Sequence, residues 1–378
     1  MKLVWQIAAA LGAVLQPFVP VAAQGEFSFR PSFGVAEVYD DNIFSEPGAR
    51  ERDLITRVSP GLECAFLSKP LSFSARYDFD AEVFSEHPEL TSYQARRTAG
   101  VEARYRRGPR LELVARGGYA DTRTPGELNT GTGLQVARVR GERIVVGAGA
   151  AYRLGPLDSL TVDYTFTDEG LSGGMRSQLQ TQSLGIERRL DSRSSVTLQG
   201  LVRLFAFDGG PTETVPVVTA GWSHQLTPLL LVSIRGGPRF SETPGAEVSA
   251  DLRLRLRRSE VSVNYVRTQA TAIGLSGHFD TESASAALSL GRGSDFELRA
   301  GPSVLRTRGT GFEATVYRVS LELLAPIFSW LTLDASADLG VQRGGVAAVG
   351  EIWHDVVMVR FIARKPPRER PGARAEVF

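Results

Sequence analysis

The sequence predicts an all-β fold, a transmembrane up-and-down antiparallel β-barrel of about eighteen strands, with sixteen as the alternative count. Three observations carry that expectation. Apolar residues recur at every second position in run after run from Phe27 onward, the runs are 10–17 residues long, and the links between them alternate between short and long. Period two marks strands, whose side chains alternate between faces, and not helices, which recur at 3.6. Runs of this length cross about 25 Å of bilayer when tilted, whereas soluble sandwiches use strands of about 5–6 residues and Greek-key crossovers.

Taken in order, the chain begins with an address. Met1-Lys2 precedes the apolar stretch from Leu3 to Leu15; Pro17 and Pro20 follow, and Val21 and Ala23 stand at −3 and −1 of a cut after Ala23. This is the layout of a cleaved secretory signal peptide over 1–23, with an apolar core too short to span a membrane.

The barrel is expected over 24–363. Its runs fall at 27–41, 54–67, 71–84, 92–106, 110–121, 138–154, 159–168, 177–190, 194–207, 214–226, 229–240, 247–257, 260–269, 279–291, 295–306, 312–325, 329–342 and 351–363. The third sets Leu71, Phe73, Ala75, Tyr77, Phe79, Ala81 and Val83 against Ser72, Ser74, Arg76, Asp78, Asp80 and Glu82. The twelfth repeats the design, with Val248, Ala250, Leu252, Leu254 and Leu256 against Ser249, Asp251, Arg253, Arg255 and Arg257. Links such as Ser68-Lys69-Pro70 and Thr227-Pro228 are short, while 42–53, 122–137, 169–176 and 307–311 are longer. Tight periplasmic turns alternate with longer extracellular loops in this way, which places both barrel ends on the periplasmic side. Tyr93, Tyr105, Tyr119, Tyr152, Phe166, Trp330 and Trp353 gather near run ends, as interfacial aromatics do. The tail 364–378, rich in Pro and Arg, is too polar to fold and would lie in the periplasm; docking a partner there is its sharper role.

Composition narrows the class. The 378 residues carry 43 Lys+Arg against 42 Asp+Glu, a net charge of +1 with no footprint for nucleic acid. Mean hydropathy of −0.09 excludes a bundle of membrane helices. A single cysteine excludes a disulfide framework and multi-cysteine metal sites.

Near the start, Tyr39-Asp40-Asp41-Asn42-Ile43-Phe44 closes the first run and Val58-Ser59-Pro60-Gly61-Leu62 opens the second. Through Tyr39, Asp41, Asn42, Ile43, Phe44, Ser59, Pro60 and Gly61 the chain resembles the β-barrel porin family found beside exopolysaccharide-export and exosortase gene clusters. Over the rest of 27–363 the resemblance is one of pattern. It implies an outer-membrane conduit in a Gram-negative bacterium that exports a polysaccharide chain with a periplasmic polysaccharide-export protein. One departure is the end of the chain, where Phe361-Ile362-Ala363 is followed by a tail instead of closing on a terminal aromatic.

The polar face must point inward, because lipid cannot hydrogen-bond it. The expected pore lining is Arg76, Asp78, Asp80 and Glu82; Arg96, Glu102 and Arg104; Glu112 and Arg116; Asp251, Arg253, Arg255 and Arg257; and Asp334 and Asp338. A two-residue turn at Arg258-Ser259 would set Arg257 opposite Glu260, Arg255 opposite Ser262, and Leu254 beside Val263 on the lipid face. Interleaved opposite charges brace a wall by cross-strand pairing; the alternative is that the arginines grip carboxylates or hydroxyls of a passing glycan.

Catalysis is not expected. His87, His224, His278 and His354 are scattered, no serine motif accompanies them, and no cofactor or metal is implied. Asp40-Asp41-Asn42 reads as a hydrated loop entry before it reads as a calcium site. Cys64 shares the parity of Leu62 and Phe66 and should face lipid. The leading function is the export conduit; a general or solute-selective porin and a non-transporting surface barrel are the alternatives. The longest link, 122–137, is expected to narrow the pore without plugging it.

Overall fold

The computed structural model describes residues 25–48, 50–241, 244–291, 296–309, 311–345 and 350–364. The signal segment 1–23 and the tail beyond Arg364 lie outside these described residues. Eighteen strands follow in chain order: β1 (Glu26–Asp40), β2 (Asp53–Leu67), β3 (Leu71–Phe84), β4 (Ser92–Arg107), β5 (Leu111–Thr122), β6 (Gly141–Arg153), β7 (Asp158–Leu171), β8 (Arg176–Arg189), β9 (Ser194–Phe207), β10 (Glu213–Thr227), β11 (Leu230–Arg239), β12 (Gly245–Arg255), β13 (Ser259–Ala270), β14 (Phe279–Leu290), β15 (Glu297–Gly309), β16 (Phe312–Phe328), β17 (Leu331–Gly344) and β18 (Glu351–Arg364).

Each strand pairs antiparallel with its neighbours in sequence, and β1 pairs with β18 from Ser32↔Arg364 to Asp40↔Val356, so the sheet closes on itself. The count is eighteen, and closure leaves no strand edge unpaired. Parity follows the alternation. Phe73, Ala75, Tyr77 and Phe79 share the outer face with Phe66, Cys64, Leu62 and, across β4, Ala103, Val101, Ala99 and Arg97. Cys64 therefore stands on the outer wall.

Three local expectations change. First, strict length alternation fails at two hairpins. β7 and β8 run through most of 169–176, pairing Glu169 with Ser177 and Gly170 with Arg176, and β15 and β16 pair Arg308 with Glu313. Polar side chains there read as loop but extend the ladder. Second, the turn between β12 and β13 is centred one residue earlier than expected. Leu256 N–H donates to the Ser259 carbonyl, and the ladder sets Arg255 opposite Glu260, Arg253 opposite Ser262 and Leu252 opposite Val263. Moving a turn by one residue moves pairing by two, so faces are kept while Arg257 leaves the wall for the exposed turn. Third, Ser59-Pro60-Gly61 sits in the middle of β2, not at its start. Pairing with β3 skips from Val58↔Ala81 to Gly61↔Asp78, a gap that accommodates the missing proline N–H.

The core is inside the barrel, at the long-link end. Ala36, Val38, Ile43, Ile55 and Phe84 form one buried cluster, Leu134, Ala272, Phe279, Ala314 and Val316 a second, and Phe205, Val215 and Val217 a third. Inward positions there are apolar because folded links, not water, lie against them.

Candidate functional site

The site is the lumen and the links that narrow it. β6 begins at Gly141, three residues later than expected, because Arg138, Val139 and Arg140 belong to the preceding link, 123–140. That link turns into the barrel. Its 3-10 turn, Pro125–Leu128, is followed by Asn129, whose side chain closes the loop by donating to the Leu134 carbonyl at 3.0 Å. The Asn129 Oδ1 accepts from the Ile273 N–H at 2.8 Å, which joins the link to a second inward segment, 271–278. Gly133, at φ +67°, brings the backbone so close that a Cβ would stand 3.3 Å from Leu305, and the Gln135 N–H donates to Gln342 Oε1 at 2.8 Å. Leu305 is on β15, nine strands from β6 and half-way round the ring. The link therefore crosses the lumen.

Its return limb is held by ions. Arg138 Nη2 lies 3.2 Å from Glu82 Oε2, Arg57 Nη2 lies 2.7 Å from Glu82 Oε1, and the Arg138 guanidinium covers the Phe84 ring at 4.7 Å. All three charged side chains are largely buried, so the triad is screened little by solvent. Between link and wall remains a cavity of about 410 Å³, bounded by β1–β4 and β16–β18. Its charges are matched within it: Arg57 and Arg138 with Glu82, Arg96 with Glu127 at 3.3 Å, His354 with Asp40 at 3.0 Å, and Arg318 with Asp338. A second opening, about 530 Å³, at the short-turn end, includes Arg106, Glu112, Arg153, Glu187 and Arg189.

Of the expected lining residues, Arg257 alone lies off the wall; the others face the interior. Glu82, Arg96 and Asp338 border the cavity. Arg76 pairs with Asp78, Arg104 with Glu102 and Glu112, Arg253 and Arg255 with Glu260, and Asp334 with Arg360. Asp80 stands opposite Arg96, Arg116 donates to Thr165, and Asp251 lies between Ser233 and Asn264. Mutual pairing is what bracing requires. The expectation that the polar face of each strand points inward is corrected for the long-link half, where inward positions such as Val38, Phe205 and Val316 are apolar and packed. Sequence reasoning missed Arg57, Glu127, Arg138, Arg318, Gln342 and the Arg203–Glu247–Arg239 cluster. The legible signal was Val215-Pro216-Val217-Val218 on β10, a continuous apolar run that marks a strand covered on both faces.

The Tyr39–Phe44 segment ties the barrel seam. Asn42 is fully buried and donates to the carbonyls of Trp353 and Glu46 at 2.8 and 2.9 Å. Asp41 Oδ1 accepts from Asp355 N–H at 2.7 Å, and its other oxygen holds Arg50. Ile43 enters the first apolar cluster, Phe44 meets the His87 ring edge-on, and Tyr39 faces outward. Asp40 takes His354 and the Asn42 N–H, so these carboxylates serve the knot and no calcium site is assembled among the described residues. In β2, Gly61 lets the Asp78 and Ser32 side chains close over the backbone, since a Cβ would stand 2.4 Å from Asp78 Oδ1 and 2.6 Å from Ser32 Oγ and push both aside. Ser59 points inward beside it, its partner on β1 being Gly34.

At the short-turn rim Ser194 Oγ lies 2.9 Å from His224 Nδ1 and 3.0 Å from Asp191 Oδ2. The carboxylate bonds the serine, not the imidazole, and also accepts from the Arg193 and Ser194 N–H groups. That order caps a turn; a nucleophilic triad needs the acid on the histidine. Among the described residues no three His, Cys, Asp or Glu side chains converge as a metal site.

No family model matches this chain, and no curated protein matches its sequence. Among solved structures it is similar to Pseudomonas aeruginosa OccK2 (OpdF), with a TM-score of 0.50 and 11% identity, covering 90% of this chain and 99% of that one. OccK9 (OpdG) of the same organism gives 0.49 at 12% identity over 90% and 99%, and OccK3 (OpdO) gives 0.47 at 12% over 89% and 96%. The likeness to OccK2 is one of architecture: this chain forms a closed, eighteen-stranded antiparallel barrel.

Proposed function

We propose that the protein is a passive channel for small polar solutes in a Gram-negative outer membrane, reached after cleavage of residues 1–23 and oriented with the short turns and both barrel ends toward the periplasm. One observation carries the reading: a link that crosses the lumen to Leu305 on β15, with Arg138 tied to Glu82 and Gln135 to Gln342, leaves a charge-lined cavity of about 410 Å³. That space suits a molecule of a few sugar or amino-acid units. It does not suit a moving polysaccharide, which would have to drive the link out against its ion triad. Export with a periplasmic partner rests on the Tyr39–Phe44 resemblance alone, and that segment serves the seam. The enclosed charges are internally matched, so the channel selects by size and hydrogen bonding more than by charge.

The test is conductance and solute flux in proteoliposomes. The intact protein should pass monosaccharides and exclude oligomers of six or more units. Replacing 123–140 with a short Gly-Ser turn should raise conductance severalfold and admit the oligomers. A protein that conducts nothing in either form would refute the channel. A gene deletion that abolishes surface polysaccharide while sugar uptake is unchanged would restore the export reading.

A further inference from the structure

The outer wall carries an anomaly on β8. Outward positions of a membrane-spanning sheet are apolar, and the neighbours obey: Val162, Tyr164 and Phe166 on β7, and Val202 and Leu204 on β9, share one face. On β8 the same rows hold Gln182, opposite Tyr164 and Val202, and Gln180, opposite Phe166 and Leu204. Gln178 stands one step higher, its amide 3.4 Å from Asp168 Oδ2. Gln182 is exposed and Gln180 partly so. Below them Leu184, Leu198 and Val162 are 56%, 55% and 47% exposed. Two carboxamides thus point away from the barrel, Gln180 in the row of the interfacial Phe166 and Gln182 one row deeper, where lipid offers neither donor nor acceptor and a polar group is costly.

We propose that this face, β7–β9, is a self-association surface whose occupant is a second copy of the same chain. Copies inserted in the same orientation can be related only by an axis along the membrane normal, so each residue meets residues at its own depth. A two-fold axis beside β8 brings Gln180 and Gln182 against the same two residues of the other copy. A carboxamide is its own complement, because it carries both a donor and an acceptor. The pair is uncharged and flanked by exposed Leu and Val, with Gly200 leaving open space on β9. A charged partner would find no countercharge in these rows, whereas polar side chains in an apolar setting are what hold membrane segments together. The inference rests on the membrane placement proposed above and not on transport.

The test uses the full chain in native outer membranes. Cys64 is the only cysteine, so Cys64→Ala gives a clean background. In it, Gln182→Cys should form an oxidative disulfide dimer, and Val263→Cys, on the outer face of β13, should not. In mild detergent the otherwise wild-type protein should sediment as a dimer. Gln180→Leu with Gln182→Leu should fold normally by heat-modifiability and dissociate at concentrations on the order of tenfold higher than the parent. Absence of cross-linking in the Gln182→Cys variant, equal cross-linking in the Val263→Cys variant, or a cross-link to a different protein would each overturn the proposal. So would a double-leucine variant as dimeric as the parent. Recovery of the chain outside the membrane fraction would instead overturn the placement on which it rests.

Discussion

The two halves of the lumen obey different rules although the same strands build both. Toward the short turns, inward positions are Arg76, Asp78, Glu102, Arg104, Asp251 and Arg253, opposite apolar outward neighbours. Toward the long links, inward positions include Val38, Phe205, Val217, Ala314 and Val316, all buried. The difference is what each surface faces. Water across an open lumen demands polar side chains, whereas a folded link demands a core. The inside of this barrel is thus half polar wall and half protein interior.

The largest test of that contrast is Phe205→Ala. This side chain is 0% exposed and packs with Val215, Val217 and Phe207, so truncation should cost roughly 3–5 kcal/mol in urea unfolding. A loss under about 1 kcal/mol would mean that this half is as open as the other. Next is Leu252→Arg, further from the turn on the outer wall of β12, expected to cost roughly 2–4 kcal/mol and to impair assembly. Arg253→Glu, its inward neighbour, should assemble and shift the reversal potential toward cations. The opposite pattern of folding would reverse the assigned faces. Smaller again is Arg138→Ala, expected to cost roughly 1–3 kcal/mol because Glu82 keeps Arg57. Its signature is accelerated proteolysis within 123–140 together with higher, noisier conductance. An unchanged cleavage rate would show that the ion triad does not hold the link.

The smallest effect separates the two rims by pH. In the link 85–91, a hydrogen bond to Asp53, helped by Glu51, holds the His87 imidazolium above its ordinary range. Its contribution is complete below the unfolded value near 6.5 and is lost as pH rises through the raised value. In the turn 190–193, hydrogen bonds from the Arg193 N–H and from Ser194 hold Asp191 below its ordinary range. That contribution is present above the unfolded carboxylate value and lost as pH falls through the lowered one. Hydrogen exchange should therefore show the long-link rim loosening in alkali and the turn loosening in acid. Identical pH responses at both would sink this assignment.

Strand positions, faces and the eighteen-fold count were legible because they depend on a local property, the period of two. Most run ends fall within a few residues of the observed strands. The turn at Arg257-Arg258 was misplaced by one residue because Arg258-Ser259 is equally good turn chemistry, and only the fit of Arg253 and Arg255 to Glu260 separates them. That the longest link narrows the pore was legible, but its path across the lumen was not. Gln135 and Gln342 are 207 residues apart in sequence, and nothing in a Gly- and Thr-rich stretch announces such a partner. The Tyr39–Phe44 segment was recognisable as special, yet its role depends on where β18 arrives.

That seam has a kinetic consequence. Asp40 meets His354, and Asp41 meets Asp355, each pair 314 positions apart and among the most distant contacts along the chain. Closing a free loop of that length costs about 5 kcal/mol of chain entropy, whereas hairpins that zip up in order leave only a narrow gap for the last strand to bridge. Until β18 docks, Asn42 has no Trp353 carbonyl and Asp41 no Asp355 N–H, and the first long link is held by Ile43 and Phe44 against β2, β3 and His87. The knot at the seam is therefore a checkpoint on synthesis: a chain truncated before Glu351 has seventeen good strands and no partner for Asp40, Asp41 and Asn42 across the seam.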